Sequence, residues 1–356
     1  MTRIEHLTES GLLARITPGL AQGSDVELGP GDDAAVVRMA SPRLVITTDT
    51  LTEGHDFLLR ATRPEWIGRK AAVQNLADVA AMGARPQAVV VSVSAPRETS
   101  SELLEGISRG LDDRCAREGA SVVGGDLGAA DALSITVTAV GALPEGQAPI
   151  RRDGARPGQV LALGSPLIGR SAAGLALVLA GRGEELVGRI SADGSPADGD
   201  SADEDSADGT SRATGPDMTP EGLVAWHDAP DPEIAPGWTV CPGRARAMLD
   251  VSDGLARDGG RIARASGVVL DLDRAVLAAD AAALAPAADL LAERTDPWHW
   301  VLGGGEEHAL LAAFEEGEVP PGFRRIGRVR VPAPGEESGV VLDGTVLSDL
   351  GFDHFG

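Results

Sequence analysis

Apolar positions change period along the chain, and each change marks an element. Ile4, Leu7, Leu12, Leu13 and Ile16 predict a short amphipathic helix over residues 1 to about 25, followed by a turn at 29–33. Strands are predicted over 34–37 and 44–47, the second running straight into Thr48-Asp49. Ile67, Ala71, Val73, Leu76, Val79 and Ala80 predict a helix over 66–82, stopped by Gly83. The β-branched run 88–93 reads as a buried strand, 103–118 as a second helix, and 121–123 as a short strand ending in Gly124-Gly125-Asp126. Residues 134–140 alternate as a strand should.

The turn-rich stretch 151–158 marks a boundary, giving expected domains of 1–150 and 151–356, each α/β or α+β. Beyond it, 160–163 is a strand and 171–180 a helix. The segment 191–220 repeats Ser-Ala-Asp with almost nothing apolar. It cannot offset chain entropy by burial, so it is expected to be a disordered acidic insertion. Order resumes near Gly222. The strand 248–251 leads to Ser252-Asp253-Gly254, and a helix carries Leu255, Ile262 and Ala263. Then come a strand at 268–272, Trp300-Val301-Leu302 running into a glycine triplet, and strands at 310–314, 326–329 and 340–342.

Composition narrows the function. The chain has 356 residues, which suits two domains, and a formal charge of −23, which argues against a nucleic-acid partner. Its two cysteines, Cys115 and Cys241, form neither a CxxC pair nor a disulfide framework, in keeping with a reducing compartment. No signal-like pattern opens the sequence and no apolar run reaches membrane-spanning length, so a soluble cytoplasmic protein is expected. Lys70 is the only lysine and Asn75 the only asparagine.

Five acidic clusters stand out: Gly31-Asp32-Asp33, Thr47-Thr48-Asp49, Leu76-Ala77-Asp78, Gly124-Gly125-Asp126 and Asp250-Val251-Ser252-Asp253. Singly, an aspartate after glycine more often closes a turn. Asp78 differs, because it lies on a helix that looks buried, where a carboxylate must be paired or hold a metal. Together the clusters suit several hard divalent cations in one cleft, and hence polyphosphate chemistry. There is no Walker A lysine, kinase-type glycine loop, GxSxG elbow or zinc spacing.

Nine blocks occur in order: 29–33, 47–50, 75–84, 124–126, 152–158, 171–176, 250–255, 303–307 and 351–355. The series closely resembles the thiamine-monophosphate kinase family, within the aminoimidazole ribonucleotide synthetase-like superfamily. The resemblance implies a two-domain fold, a homodimer built around a barrel of first-domain strands, and Mg²⁺- and ATP-dependent conversion of thiamine monophosphate to thiamine diphosphate. It implies Mg²⁺ ligation by Asp33, Thr47, Thr48, Asp49, Asp78, Asp126, Asp250 and Asp253, with Asp33, Asp78, Asp126 and Asp253 at the catalytic centre. It also implies ATP contacts from Gly125, Asp126, Arg152 and Ser252, and substrate contacts from Glu306 and Phe352.

The substrate side departs from the family. Asp56 stands where the family places histidine, so either His55 or Asp56 would touch the acceptor. Glu307-His308-Ala309 replaces a common Asp-Tyr-Glu, and Phe352 a frequent tyrosine. A phosphate monoester acceptor is already anionic at neutral pH, so neutralising charge matters more than a strong base. Two alternatives remain at this point: another ATP-dependent kinase or synthetase of the superfamily, and a non-catalytic nucleotide- or metal-binding relative.

Overall fold

Alternation of apolar and polar positions builds the first sheet. In a computed structural model that describes residues 2–190, 216–293, 295–347 and 350–352, the first part contains α1 (Glu9–Ile16), β1 (Val26–Leu28), β2 (Val36–Val37), β3 (Leu44–Thr52), α2 (Pro64–Ala81), β4 (Arg85–Ala95), α3 (Ser101–Arg117), β5 (Ser121–Ala129) and β6 (Ser134–Ala142). Strands β1 and β2 form a small antiparallel ribbon. The other four make one sheet in the order β3-β6-β4-β5, antiparallel except for β4 with β5. One face of this sheet packs on α2 and α3 through Ile67, Leu76, Val79, Val89, Leu104, Ile135 and Val137.

The two helices approach to backbone contact. A Cβ on Gly68 would lie 2.0 Å from the Ile107 carbonyl oxygen, and one on Gly110 1.8 Å from that of Glu65. That close crossing presses α2 onto the sheet and fixes the face it turns outward.

The second part contains β7 (Val160–Leu163), α4 (Arg170–Leu177), α5 (Gly183–Gly188), α6 (Pro220–Asp228), α7 (Pro236–Thr239), β8 (Ala247–Asp250), α8 (Leu255–Ser266), β9 (Val269–Leu272), α9 (Arg274–Ala288), α10 (Pro297–Gly303), β10 (Leu310–Phe314), β11 (Arg324–Arg330), β12 (Gly339–Leu342) and β13 (Thr345–Val346). Its sheet has the order β13-β12-β9-β11-β7-β10-β8, with only β9 and β12 parallel. Both sheets are therefore mixed, and α+β describes the fold better than α/β. Edge strand β8 lies against α2. Ala81, at the end of α2, joins a buried cluster with Ala162, Met248, Leu310 and Phe314 that ties the sheets together.

Several elements differ from the sequence expectation. The first helix covers only Glu9–Ile16, because Pro18-Gly19 stops it. Strand β3 continues through Thr48 and Asp49 to Thr52. Strand β5 continues through its glycines to Ala129, since Gly125 admits the Val91 carbonyl to 1.9 Å of where a Cβ would stand. Residues 300–302 lie in α10, and helix starts again at Pro220. Most of the acidic insertion (191–215) and the end of the terminal motif (353–355) lie outside the described residues. Among the described residues no helix is long and apolar enough to cross a membrane.

Candidate active site

Helix α2 is apolar nearly all round, yet Lys70, Gln74 and Asp78 recur every fourth residue. That spacing places them on one face, and this face borders a cleft of about 690 Å³ between the two sheets. Strand β3 adds Asp49, whose neighbour Thr47 donates from Oγ1 to Asp78 Oδ2 at 2.8 Å. From the second sheet come Asp250, at the end of β8, and Ser252 and Asp253 in the turn before α8. The glycine triplet 303–305 and Glu306 close the floor, while Phe57, Leu58, Leu175 and Val178 provide an apolar wall.

The turn that carries Asp253 is built by a residue the sequence reading passed over. Asp258 Oδ2 accepts from the backbone N–H groups of Ser252, Asp253 and Gly254 at 3.0, 2.8 and 3.1 Å. Arg261 bridges Asp253 and Asp258. The chain is pinned here again near its end, where Phe352 N donates to Asp253 O at 2.9 Å. Phe352 is largely exposed and lines the cleft.

Electrostatics divide the cleft into two poles. At one, burial and the nearby Asp250 push the Asp78 carboxyl up to about 7, and burial also raises Asp49. Asp250 has a counter-charge: buried His308 donates from Nδ1 to Asp250 Oδ2 at 3.0 Å. Burial disfavours that imidazolium, but the hydrogen bond to Asp250 raises its pKa above the ordinary value. At the other pole, Lys70 Nζ reaches Glu306 Oε1 at 2.6 Å and donates to the Asp56 carbonyl at 2.9 Å. Burial opposes the charge of Glu306, yet Lys70 and then His227 hold its pKa below the usual value. Burial and Lys70 drive His227 down to about 3, so it is neutral. Its Nδ1 lies 3.3 Å from a carboxylate oxygen of Glu306 and 3.1 Å from Ser171 Oγ, an arrangement that favours the tautomer with the proton on Nδ1.

Glu306 and His308 have φ values of 58° and 51°, unusual for residues other than glycine. Their N–H groups bond to the carbonyls of Ser252 and Val251 at 2.7 and 2.8 Å, which hold this conformation. Alternate side chains of the loop therefore turn to different tasks. Glu306 and His308 face the cleft. Between them, Glu307 is buried, accepting from Ser171 N at 2.8 Å and Trp226 Nε1 at 3.0 Å.

The structure gathers Asp49, His55, Asp56, Asp78, Asp250, Ser252, Asp253, Glu306 and Phe352 around this cleft. Asp56 Oδ2 is occupied by the Thr52 N–H at 2.7 Å, whereas His55 is exposed on the rim. Thr48 points to the opposite sheet face from Thr47 and Asp49 and donates to the Val137 carbonyl at 3.0 Å. Asp33, Gly125 and Asp126 line a different cavity of about 1010 Å³, with α1 and β5. Arg152 is exposed on the short 3₁₀ turn Arg152–Gly154 and lines neither. The five acidic clusters thus fall into two groups rather than one.

The cleft's donor set suits a hard divalent cation: neighbouring carboxylates of which two, Asp49 and Asp78, have raised pKa values, through burial first and the nearby Asp250 after it. Among the described residues no group of three or more His, Cys, Asp or Glu side chains forms a ready-made shell. Mg²⁺ commonly takes one or two carboxylates and completes its octahedron with water and substrate phosphate, and the cleft fits that pattern.

Residues 31–143 match the family "AIR synthase related protein, N-terminal domain". The chain is 42% identical over 339 residues to thiamine-monophosphate kinase of Mycobacterium tuberculosis, covering 94% of this chain and 90% of that protein. It is similar in structure to thiamine-monophosphate kinase from Stenotrophomonas maltophilia K279a, with TM-score 0.68 and 30% identity, covering 94% of this chain and 95% of the other. It is also similar to AaThiL complexed with AMPPCP and TMP, with TM-score 0.67 and 25% identity, covering 100% and 99%. The chain belongs to the thiamine-monophosphate kinase family.

Proposed function

We propose that this chain transfers the terminal phosphoryl group of ATP to the phosphate of thiamine monophosphate, forming thiamine diphosphate and ADP. The observation that carries the reading is the meeting of Asp49 and Asp78 with Asp250 and Asp253 across a cleft whose opposite wall is apolar. A relative complexed with AMPPCP and TMP supports a nucleotide and the monophosphate as the two ligands.

The chemistry is a single displacement. A phosphate oxygen of the acceptor forms a bond to the terminal phosphorus of ATP as the bond to the β,γ-bridging oxygen breaks, and ADP leaves. The acceptor is already ionised, so no side chain need remove a proton. Asp49, Asp78, Asp250 and Asp253 would hold Mg²⁺, which when bound supplies neutralisation of the phosphate charges. Asp258 and Arg261 keep Asp253 and the Ser252 backbone aligned. His308 orients Asp250. The apolar wall receives the flat organic part of the acceptor, with Phe352 and His55 at the mouth. Asp33, Gly125, Asp126 and Arg152 stand apart from this cleft and take no part in the step as written.

A homodimer through the free face of the first sheet completes the reading. Leu44, Ile46 and Val90 are 53%, 62% and 41% exposed there, an apolar strip on the side away from α2.

The direct test is ATP consumption with thiamine monophosphate, in Mg²⁺ and after chelation, with the product identified by mass. Metal-dependent thiamine diphosphate is the expected result. ATP turnover that ignores this acceptor would overturn the reading.

A further inference from the structure

Asp49 and Asp78 reach the cleft from neighbouring elements, strand β3 and helix α2, which pack against each other. Each carboxylate is held by a neutral donor from the other's element. Thr47, two residues before Asp49, donates from Oγ1 to Asp78 Oδ2 at 2.8 Å. Gln74, one turn before Asp78, hydrogen-bonds through its side chain to Asp49. Burial raises the Asp49 pKa, and this bond works against the rise. An ionised carboxylate only accepts, so the Gln74 amide nitrogen is the donor.

The helix keeps Gln74 open to the cleft. From Lys70 to Ala81 every side chain of α2 is buried except those of Gln74 and Asp78. Both line the cleft. Packing alone does not call for an amide at one of the two openings of an otherwise closed helix.

The chemistry of the donor also fits. A lysine or arginine at 74 would pair with Asp49 and compete with a cation for it. An apolar side chain would leave the carboxylate free to rotate. An amide N–H takes one of about four acceptor positions on the two oxygens and leaves the others and the negative charge in place. The bond therefore fixes the direction in which Asp49 presents its remaining lone pairs.

We infer that Gln74 is a positioning residue that orients Asp49 toward a divalent cation in the cleft, as Thr47 orients Asp78. The inference rests on the reading of Asp49 and Asp78 as holders of Mg²⁺. Orientation matters most for Mg²⁺, which demands a near-octahedral shell, whereas Ca²⁺ accepts a more variable one. Loss of the Gln74 donor should therefore cost Mg²⁺ more than Ca²⁺.

Gln74→Met keeps the length and the helix preference of the side chain and removes the donor. The test measures Mg²⁺ and Ca²⁺ binding by calorimetry, in the presence of ATP, on full-length wild type, Gln74→Met and Asp78→Asn. Melting temperatures are taken in metal-free buffer. Gln74→Met is expected to weaken Mg²⁺ binding about tenfold or more, as loss of a group that supports a metal ligand does. It should weaken Ca²⁺ binding less and melt close to wild type. Gln74→Leu removes the donor with a shorter side chain, and it carries the test if the methionine variant does not fold. Wild-type Mg²⁺ affinity in the folded variant would overturn the inference. Equal losses for the two cations would overturn it as well, since they mark a general disturbance of the cleft. Asp78→Asn with wild-type Mg²⁺ affinity would show that the metal reading itself has failed, and the inference with it.

Discussion

Lys70 Nζ lies 2.6 Å from Glu306 Oε1, and this contact joins the first sheet's helix to the loop of the second that follows α10. Lys70 is 1% exposed and also holds the Asp56 carbonyl, so one side chain ties down the loops carrying both His55 and Glu306.

Lys70→Met removes the cation and leaves Glu306 as an uncompensated charge. The expected loss is about 3 kcal/mol, read as a fall in melting temperature of about 2–4 °C per kcal/mol. The KM for thiamine monophosphate should rise more than that for ATP. In the double variant with Glu306→Gln, much of the stability should return, because the unpaired carboxylate is gone. Strict additivity of the two single losses would mean that the pair does not couple.

Asp78 and its acidic neighbours bear on the metal. Asp78→Asn removes one carboxylate from a crowded set. Mg²⁺ binding in the presence of ATP, followed by calorimetry, should weaken at least about 10- to 100-fold, and turnover should fall while the far-ultraviolet spectrum is unchanged. Near-normal Mg²⁺ affinity would remove Asp78 from the ligand set.

Asp228 gives a pH signature independent of activity. Burial raises its native pKa to about 7, above the ordinary aspartate value of 3.8. Between these values the native state binds the extra proton. The stability so contributed is full below about pH 4 and lost as pH rises through about 7. At about 1.4 kcal/mol per pH unit, a gap of about three units amounts to at most ~4 kcal/mol. Asp228→Asn lacks this loss, so its stability relative to wild type should grow across that window and level off above it. Urea midpoints for both proteins at pH values from about 4 to about 8 read the difference; parallel curves would mean that the carboxyl titrates normally.

Much of this arrangement was legible in the residues. Strands Val160–Leu163 and Leu310–Phe314 were read to the residue, because both are buried along their whole length and read as unbroken apolar runs. Helix α9 carries no such signature. Its alanine-rich sequence lacks a clean stripe and carries buried Asp280, which accepts from Ile168 N at 2.8 Å. The Lys70, Gln74, Asp78 repeat on α2 was visible as a polar face on an apolar helix, but only Asp78 was read from it. Strand alternation also suffices to separate Thr48 from Thr47 and Asp49. The pairing of His308 with Asp250, and of His227 with Glu306, joins segments about 60 and 80 residues apart; local spacing carries no trace of it. Nor does spacing tell which cavity an aspartate will enter, so Asp33 and Asp126 could be read as part of the acidic pattern but not located.

The exposed strip on the first sheet is the face proposed for the dimer. Ile46 is 62% exposed near the start of β3, and the alternation that turns Thr47 toward Asp78 turns Ile46 away from it. Ile46→Asp would place a charge in the middle of the proposed dimer face at no cost to the monomer core. A buried, unpaired charge there costs several kcal/mol, so the dimer dissociation constant should rise about 100-fold or more, since each 1.4 kcal/mol is about tenfold. Light scattering across a dilution series reads it directly. An unchanged dimer in Ile46→Asp would move the interface elsewhere, and a wild type that is monomeric at every concentration would remove the dimer altogether.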